Sequence, residues 1–204
     1  MHHIDLDTIT LASGGHATRD QGTCLMEMVA WWAEEPHSDH PDCVSPVLGS
    51  FGRSLNDTLP AGRRQELKPL IPLLPGTAGD GLDETRGYLA LDWLIRTYTP
   101  AWLDLAGLTA EATALRDLRR IADLAAAEAA GPVVRASREA ARAAWDAAWD
   151  AAWDAAWDAA GAAAGDAAGA AAGDAAGAAL VPTRIELQQS ALELVARMID
   201  ASEP

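Results

Sequence analysis

From Trp145 onward the chain repeats every four residues, and no other feature restricts its fold so strongly. Trp145, Trp149, Trp153 and Trp157 are each followed by an aspartate (Asp146, Asp150, Asp154, Asp158) and two alanines. Glycine then takes the tryptophan position at Gly161, Gly165, Gly169, Gly173 and Gly177, while Asp166 and Asp174 keep every second aspartate. Alanine is the strongest helix former, so residues 141–179 are expected to be helical. At ~1.5 Å per residue such a helix would run roughly 58 Å. Each four-residue step overshoots a turn by ~40°, so the tryptophan and glycine stripe drifts slowly around the helix. A period above 3.6 favours a right-handed wrap against a neighbour. Five glycines cost about 5 kcal/mol relative to alanine, and close approach of another backbone is what would offset that. The stripe is therefore expected to be a helix-packing surface. A weakly ordered segment born of slippage in a GC-rich DNA repeat is the competing reading.

Charge removes several functions. Thirty acidic residues oppose fifteen basic ones, the net charge is −15, and Lys68 is the only lysine. Binding to nucleic acid or to an anionic membrane needs clustered cations, so neither direct nucleic-acid binding nor membrane attachment is expected. Residues 145–179 hold six aspartates and no cation, which would repel a phosphate backbone whatever the tryptophans could stack upon. Asp166 and Asp174 cost ~3 kcal/mol each at a bilayer centre, which argues against a membrane span there. The same acidic stripe leaves one alternative open, a decoy that imitates nucleic acid to a DNA-binding protein. Its aspartates would stand ~6 Å apart along a helix axis, near the spacing of successive phosphates.

The preceding residues read as a compact all-α domain over 1–131. Residues 4–11 alternate weakly and suggest one short extended segment. Helical periodicity then runs from Thr23 to Glu35, and Ser45-Pro46 gives an N-cap with proline at the first helical position, opening a helix to about Asn56. A helix over Gly62–Leu74 must be kinked or shortened by Pro69 and Pro72. Asp83 caps a helix carrying Leu89, Trp93 and Leu94. Thr99-Pro100 starts a short helix that Gly107 closes, and Thr109 caps one reaching Gly131 through Leu115, Leu118, Ile121 and Leu124. Domain boundaries are expected at 131 and 181. They leave a repeat helix over 132–181 and an amphipathic helix over 182–204. The pattern Thr183-Arg184-Ile185-Glu186 resembles a capping box that opens that last helix, with Ile185, Leu192, Val195 and Ile199 on one face.

His16, Cys24, His40 and Cys43 are the metal-capable set. Two nitrogen and two sulfur ligands suit tetrahedral zinc, with one ion per chain expected if they converge. Alternatively Cys24 is a small buried hydrophobe and the histidines sit on solvated loops. A Cys24–Cys43 disulfide is a third reading. In a fourth, Cys24 is a nucleophile served by His16 or His40 as base, the base oriented by Glu27 or Asp39; this would make a small zinc- or cysteine-dependent enzyme. No common hydrolase, nucleotide or metalloprotease motif is present to anchor a catalytic reading.

Several linear motifs carry a family resemblance. Ser13-Gly14-Gly15-His16, Cys24-Leu25-Met26-Glu27 and Asp39-His40-Pro41-Asp42-Cys43-Val44-Ser45-Pro46-Val47-Leu48 are the first of them. Leu55-Asn56-Asp57, Leu67-Lys68-Pro69-Leu70-Ile71-Pro72, Gly76-Thr77 and the Trp-Asp-Ala-Ala array complete the set. Together they resemble a family of actinobacterial and actinophage hypothetical proteins. The resemblance implies a cytoplasmic bacterial or phage context and no particular mechanism. Relatives often mix arginine into the tetrads, whereas this chain has none from 145 to 179. Two cysteines and a start without a basic region or apolar run agree with a reducing cytoplasm. The function expected is interaction or assembly without catalysis. The partner would be a second copy or another protein, reached through Trp145, Trp149, Trp153, Trp157 and the glycines that continue their register.

Overall fold

The computed structural model describes residues 4–159 and 165–202, with side chains described for 4–147 and 180–202. The protein is all-α, with no strand among the described residues. Its helices are α1 (Leu25–Trp32), α2 (Pro46–Thr58), α3 (Ala61–Arg64), α4 (Asp83–Trp93), α5 (Thr99–Leu105), α6 (Thr109–Arg116), α7 (Leu124–Ala159) and α8 (Gly165–Ile199). Short 3-10 segments stand at Leu6–Thr8, Arg19–Gln21 and Gln65–Leu73, and a π-helical segment at Leu94–Tyr98. Two compact units divide the chain: Met1–Ala90 with Gln188–Pro204, and Leu91–Leu187. Among the described residues no helix is long and apolar enough to cross a membrane.

In the first unit α1 is the core. All six residues from Leu25 to Ala30 are buried, as expected of a helix that is apolar on nearly every side. Gly52 lets α2 come close: a Cβ there would meet the Met26 Cε at 2.7 Å. Ser45 caps α2, its hydroxyl accepting from the Leu48 N–H, with Pro46 at the first turn as the sequence requires. Arg64 closes the other end by donating to the Asn56 and Leu59 carbonyls at 2.7 and 2.9 Å. The helix expected over Gly62–Leu74 survives only as α3. Pro69 and Pro72 each lack the N–H that an α-helix needs, so the chain continues as a 3-10 segment with Leu67 and Ile71 buried. The anticipated extended segment near the start is a 3-10 turn instead, because the Asp5 carboxylate accepts from the Asp7 N–H and closes it.

The C-terminal part of α8, from Gln188, belongs to this unit. Gln188, Ala191, Leu194, Val195 and Met198 are buried, whereas Ile185 is exposed and Leu192 and Ile199 only half-buried. The buried face is thus rotated from the one the sequence suggested. No new helix starts at Thr183 either. Pro182 lies within α8, and the alanine-rich residues before it keep the backbone helical despite one missing donor. Arg86, 1 % exposed, anchors this segment by donating to the Met198 carbonyl at 2.9 Å. The same guanidinium donates to both Asp80 oxygens and to the Thr77 carbonyl, so it is fully engaged.

The second unit has a small core of Leu103, Ala112 and Leu115, with Ile95, Leu108, Val133, Val134 and Ala141 packed beside it. Pro100 cannot donate to a carbonyl one turn back, and the preceding residues relax into the π segment. The Thr99 hydroxyl fills part of that gap by donating to the Leu94 carbonyl at 2.8 Å. Gly107, at φ +76°, ends α5 as expected. The single helix expected from Thr109 to Gly131 is two helices. After α6 the chain turns so that Ile121 is buried and its N–H donates to Asp92 at 2.8 Å. Asp123 then caps α7 through the Ala126 N–H, and Leu124 is left exposed.

Candidate functional site

A dense polar cluster surrounds Glu27 on α1. This carboxylate is buried, and it accepts from the Cys24 N–H at 2.8 Å, the His16 N–H at 2.5 Å and the His16 Nδ1 at 2.9 Å. Burial raises its pKa, but the hydrogen bonds from Cys24 and His16 outweigh that and hold it below the ordinary carboxyl value. His37 approaches the same carboxylate at 3.8 Å while its Nε2 donates to the His16 carbonyl at 2.9 Å. Its buried Nδ1 has no hydrogen-bond partner among the described residues. Gly15 stands between two carboxylates, since a Cβ on it would lie 3.4 Å from Asp39 and 3.8 Å from Glu27.

The four metal-capable residues do not gather. Among the described residues no group of three or more His, Cys, Asp or Glu side chains is arranged to hold a metal ion. His16 is committed to Glu27, and His40 lies exposed against Asp39 at 2.7 Å. That hydrogen bond is the main reason the Asp39 carboxyl lies below its ordinary value. Both cysteines are free, so no disulfide joins them. Burial pushes the Cys24 thiol up to about 11, and burial together with Glu35 does the same to Cys43. Both shifts favour the protonated thiol, the opposite of the lowered value that activates a nucleophilic sulfur. The His16–Glu27 and His40–Asp39 pairs do form as the sequence suggested. The His16–Glu27 pair ties the His16 loop to α1, whereas His40–Asp39 joins two neighbours on an exposed loop. His37 was not singled out from sequence, and only its proximity in space reveals its part.

A different kind of surface lies in the second unit. Tyr98, Trp102, Leu103, Ala106, Leu108, Ala141, Ala144 and Trp145 line an apolar groove of about 500 Å³. An aromatic ladder leads into it: the Trp93 and Tyr98 rings are 5.2 Å apart, and Tyr98 meets Trp102 edge-on at 6.1 Å. The Trp102 Nε1–H is buried with no acceptor among the described residues. Trp145, first of the repeat tryptophans, stands on the rim and is 69 % exposed. Leu94, Tyr98 and Leu105 are exposed along the same stretch of chain. Asp146 is exposed next to Trp145. The side chains of Trp149, Trp153, Trp157, Asp150, Asp154, Asp158, Asp166 and Asp174 lie outside the described residues, as do the surroundings of Gly161, Gly165, Gly169, Gly173 and Gly177. No protein-family model, curated protein or solved structure matches this chain.

Proposed function

We propose that the chain is a non-enzymatic interaction and assembly protein whose second unit carries the docking face. The observation that supports this most is the exposed Trp145 on the rim of a groove walled by Tyr98, Trp102, Leu103 and Leu108. Large apolar side chains left in water beside a concave apolar surface mark association sites. Tryptophan and tyrosine carry much of the binding energy at such sites. Self-association is the form proposed, since the repeat supplies both tryptophans to insert and small residues to receive them.

The test is the molar mass in solution across a wide concentration range, on the full chain and on Trp145→Ser. The expected result is a concentration-dependent oligomer that the substitution weakens at least tenfold while helix content stays unchanged. A full chain that remains monomeric at high micromolar concentration would sink the proposal.

A further inference from the structure

Within the second unit α7 lines two cavities with one strip of residues at helical spacing: Val134, Ser137, Arg138, Ala141, Ala144 and Trp145. The opposing wall comes from the π segment and α5, chiefly Ile95, Tyr98, Thr99, Trp102 and Leu103. Alanine at 141 and 144 is too small to fill the space between these walls. One cavity is the groove of about 500 Å³ that reaches Trp145. The other, about 260 Å³, reaches Ser137 and Arg138, and Thr99, Leu103 and Ala141 line both. The two therefore form one trough along α7.

Its ends differ in chemistry. Toward Trp145 the walls are mainly aromatic and aliphatic. At the other end Ser137 is 4 % exposed, and its hydroxyl takes part in no hydrogen bond among the described residues. A helical serine commonly bonds a carbonyl one turn back, and this one does not. Arg138 is exposed, has no ion pair or hydrogen bond among the described residues, and carries the charge among the residues lining either cavity. Arg135 and Arg142, about a turn away on either side, strengthen the positive potential there. Glu139 follows Arg138 directly and so lies on another side of the helix.

We propose that this trough binds a medium-chain fatty acid, its carboxylate at Arg138 and Ser137 and its tail along Ala141 toward Trp145. A guanidinium fork meets the two oxygens of a carboxylate, and the serine hydroxyl supplies a further donor. A neutral apolar occupant would cover both polar groups without pairing either, and a cation would be repelled. From Arg138 to Trp145 α7 rises ~10 Å, the length of about eight methylenes. An unbranched chain also suits a floor of alanines, where a bulkier ligand would meet Leu103. The chain's net charge of −15 disfavours anions elsewhere, so an unpaired arginine at an apolar trough is a local exception. The site is complete within one chain and goes beyond the self-association reading without resting on it.

The experiment is calorimetric titration of the full chain, at low micromolar concentration, with decanoate. One decanoate should bind per chain, and octanoate should bind about fifteenfold more weakly, since each buried methylene contributes about fourfold. Decanol, which keeps the tail without the charge, and acetate, which keeps the head alone, should each bind at least tenfold more weakly than decanoate. Arg138→Gln should weaken decanoate at least tenfold, whereas Arg135→Gln, outside the lining, should change it less than threefold. Ala141→Leu should abolish binding while melting temperature holds or rises, because leucine fills the trough. Absence of saturable binding up to millimolar decanoate would overturn the proposal. So would decanol binding as tightly as decanoate, or an Ala141→Leu chain that binds like wild type. If Ala141→Leu loses helix by circular dichroism, Ala144→Leu replaces it, and undiminished binding there overturns the site. Molar mass recorded on the same samples reads self-association separately, so either reading can fail alone.

Discussion

The two units solve the problem of buried polar groups in opposite ways. In the first, the buried polar side chains are densely satisfied. Glu27 accepts three hydrogen bonds, Asn56 accepts from Leu25 and donates to Ala12 and Asp57, and Arg64 and Arg86 are engaged on several sides. Gln65 exchanges two bonds with the backbone of Leu11. His37 Nδ1 is the exception. Among the described residues the second unit has a core cluster of Leu103, Ala112 and Leu115 with Ile121 buried as well, a π segment, and two buried donors without a partner, Arg96 Nε and Trp102 Nε1. A region whose polar groups close upon each other has little to gain from a partner. One that leaves Trp145 in water beside an apolar groove gains from being covered. On the function proposed above, the polar cluster around Glu27 builds the scaffold and the plainer apolar surface of the second unit would be the docking face.

The largest test of that contrast is Arg86→Met. Removing a buried guanidinium strands the Met198 and Thr77 carbonyls and Asp80, and should cost about 3 kcal/mol in urea unfolding. A loss under about 1 kcal/mol would show that the first unit does not depend on its polar network. Next is Glu27→Gln, expected to cost about 2 kcal/mol near neutrality by leaving donors of His16 or Cys24 unmet. Its pH dependence has a defined sign. The folded carboxyl titrates below its ordinary 4.5, so its stabilising contribution is whole above that value. The contribution is lost as pH falls through the folded value. The Gln variant should therefore lose less stability than wild type between about pH 5 and pH 3; parallel acid curves would refute the assignment.

Smaller effects sharpen the comparison. Gly52→Ala should cost about 1 kcal/mol, since its Cβ must displace the flexible end of Met26, and guanidinium unfolding would read it. A stabilised variant would mean that α1 and α2 are not tightly seated. Smallest is Trp102→Phe, which removes the orphaned N–H while keeping an aromatic wall. Under conditions where the protein is monomeric it should be neutral or gain up to about 1 kcal/mol in thermal stability. A loss of 2 kcal/mol would mean that the indole nitrogen already has a partner.

Much of the architecture was legible because local chemistry dictates it. Ser45-Pro46 starts α2, Gly107 stops α5, and α4 begins at the expected Asp83. Short-range capping, proline geometry and alanine propensity act within one turn, so they survive any tertiary context. The His16–Glu27 pair was named from sequence only as a base and its orienter in the nucleophile reading, and it forms. Other features depended on contacts distant in sequence. Asp92 holds the Ile121 N–H and thereby helps break a helix that periodicity ran straight through. The face of α8 is set by where Arg86 grips the Met198 carbonyl, more than a hundred residues away, and no pattern within 183–199 encodes that. The separation of His16, Cys24, His40 and Cys43 is of the same kind. Residue type makes a metal site conceivable, but whether four side chains meet is decided by the path of the whole chain. Sequence by itself determined the class of fold, the helix ends fixed by local caps, as at Ser45-Pro46 and Gly107, and the acidic balance, because each is a matter of composition or of near neighbours along the chain. Tertiary structure alone decided which polar groups are satisfied, which tryptophan stands in water and where a groove opens, because burial is a property of packing.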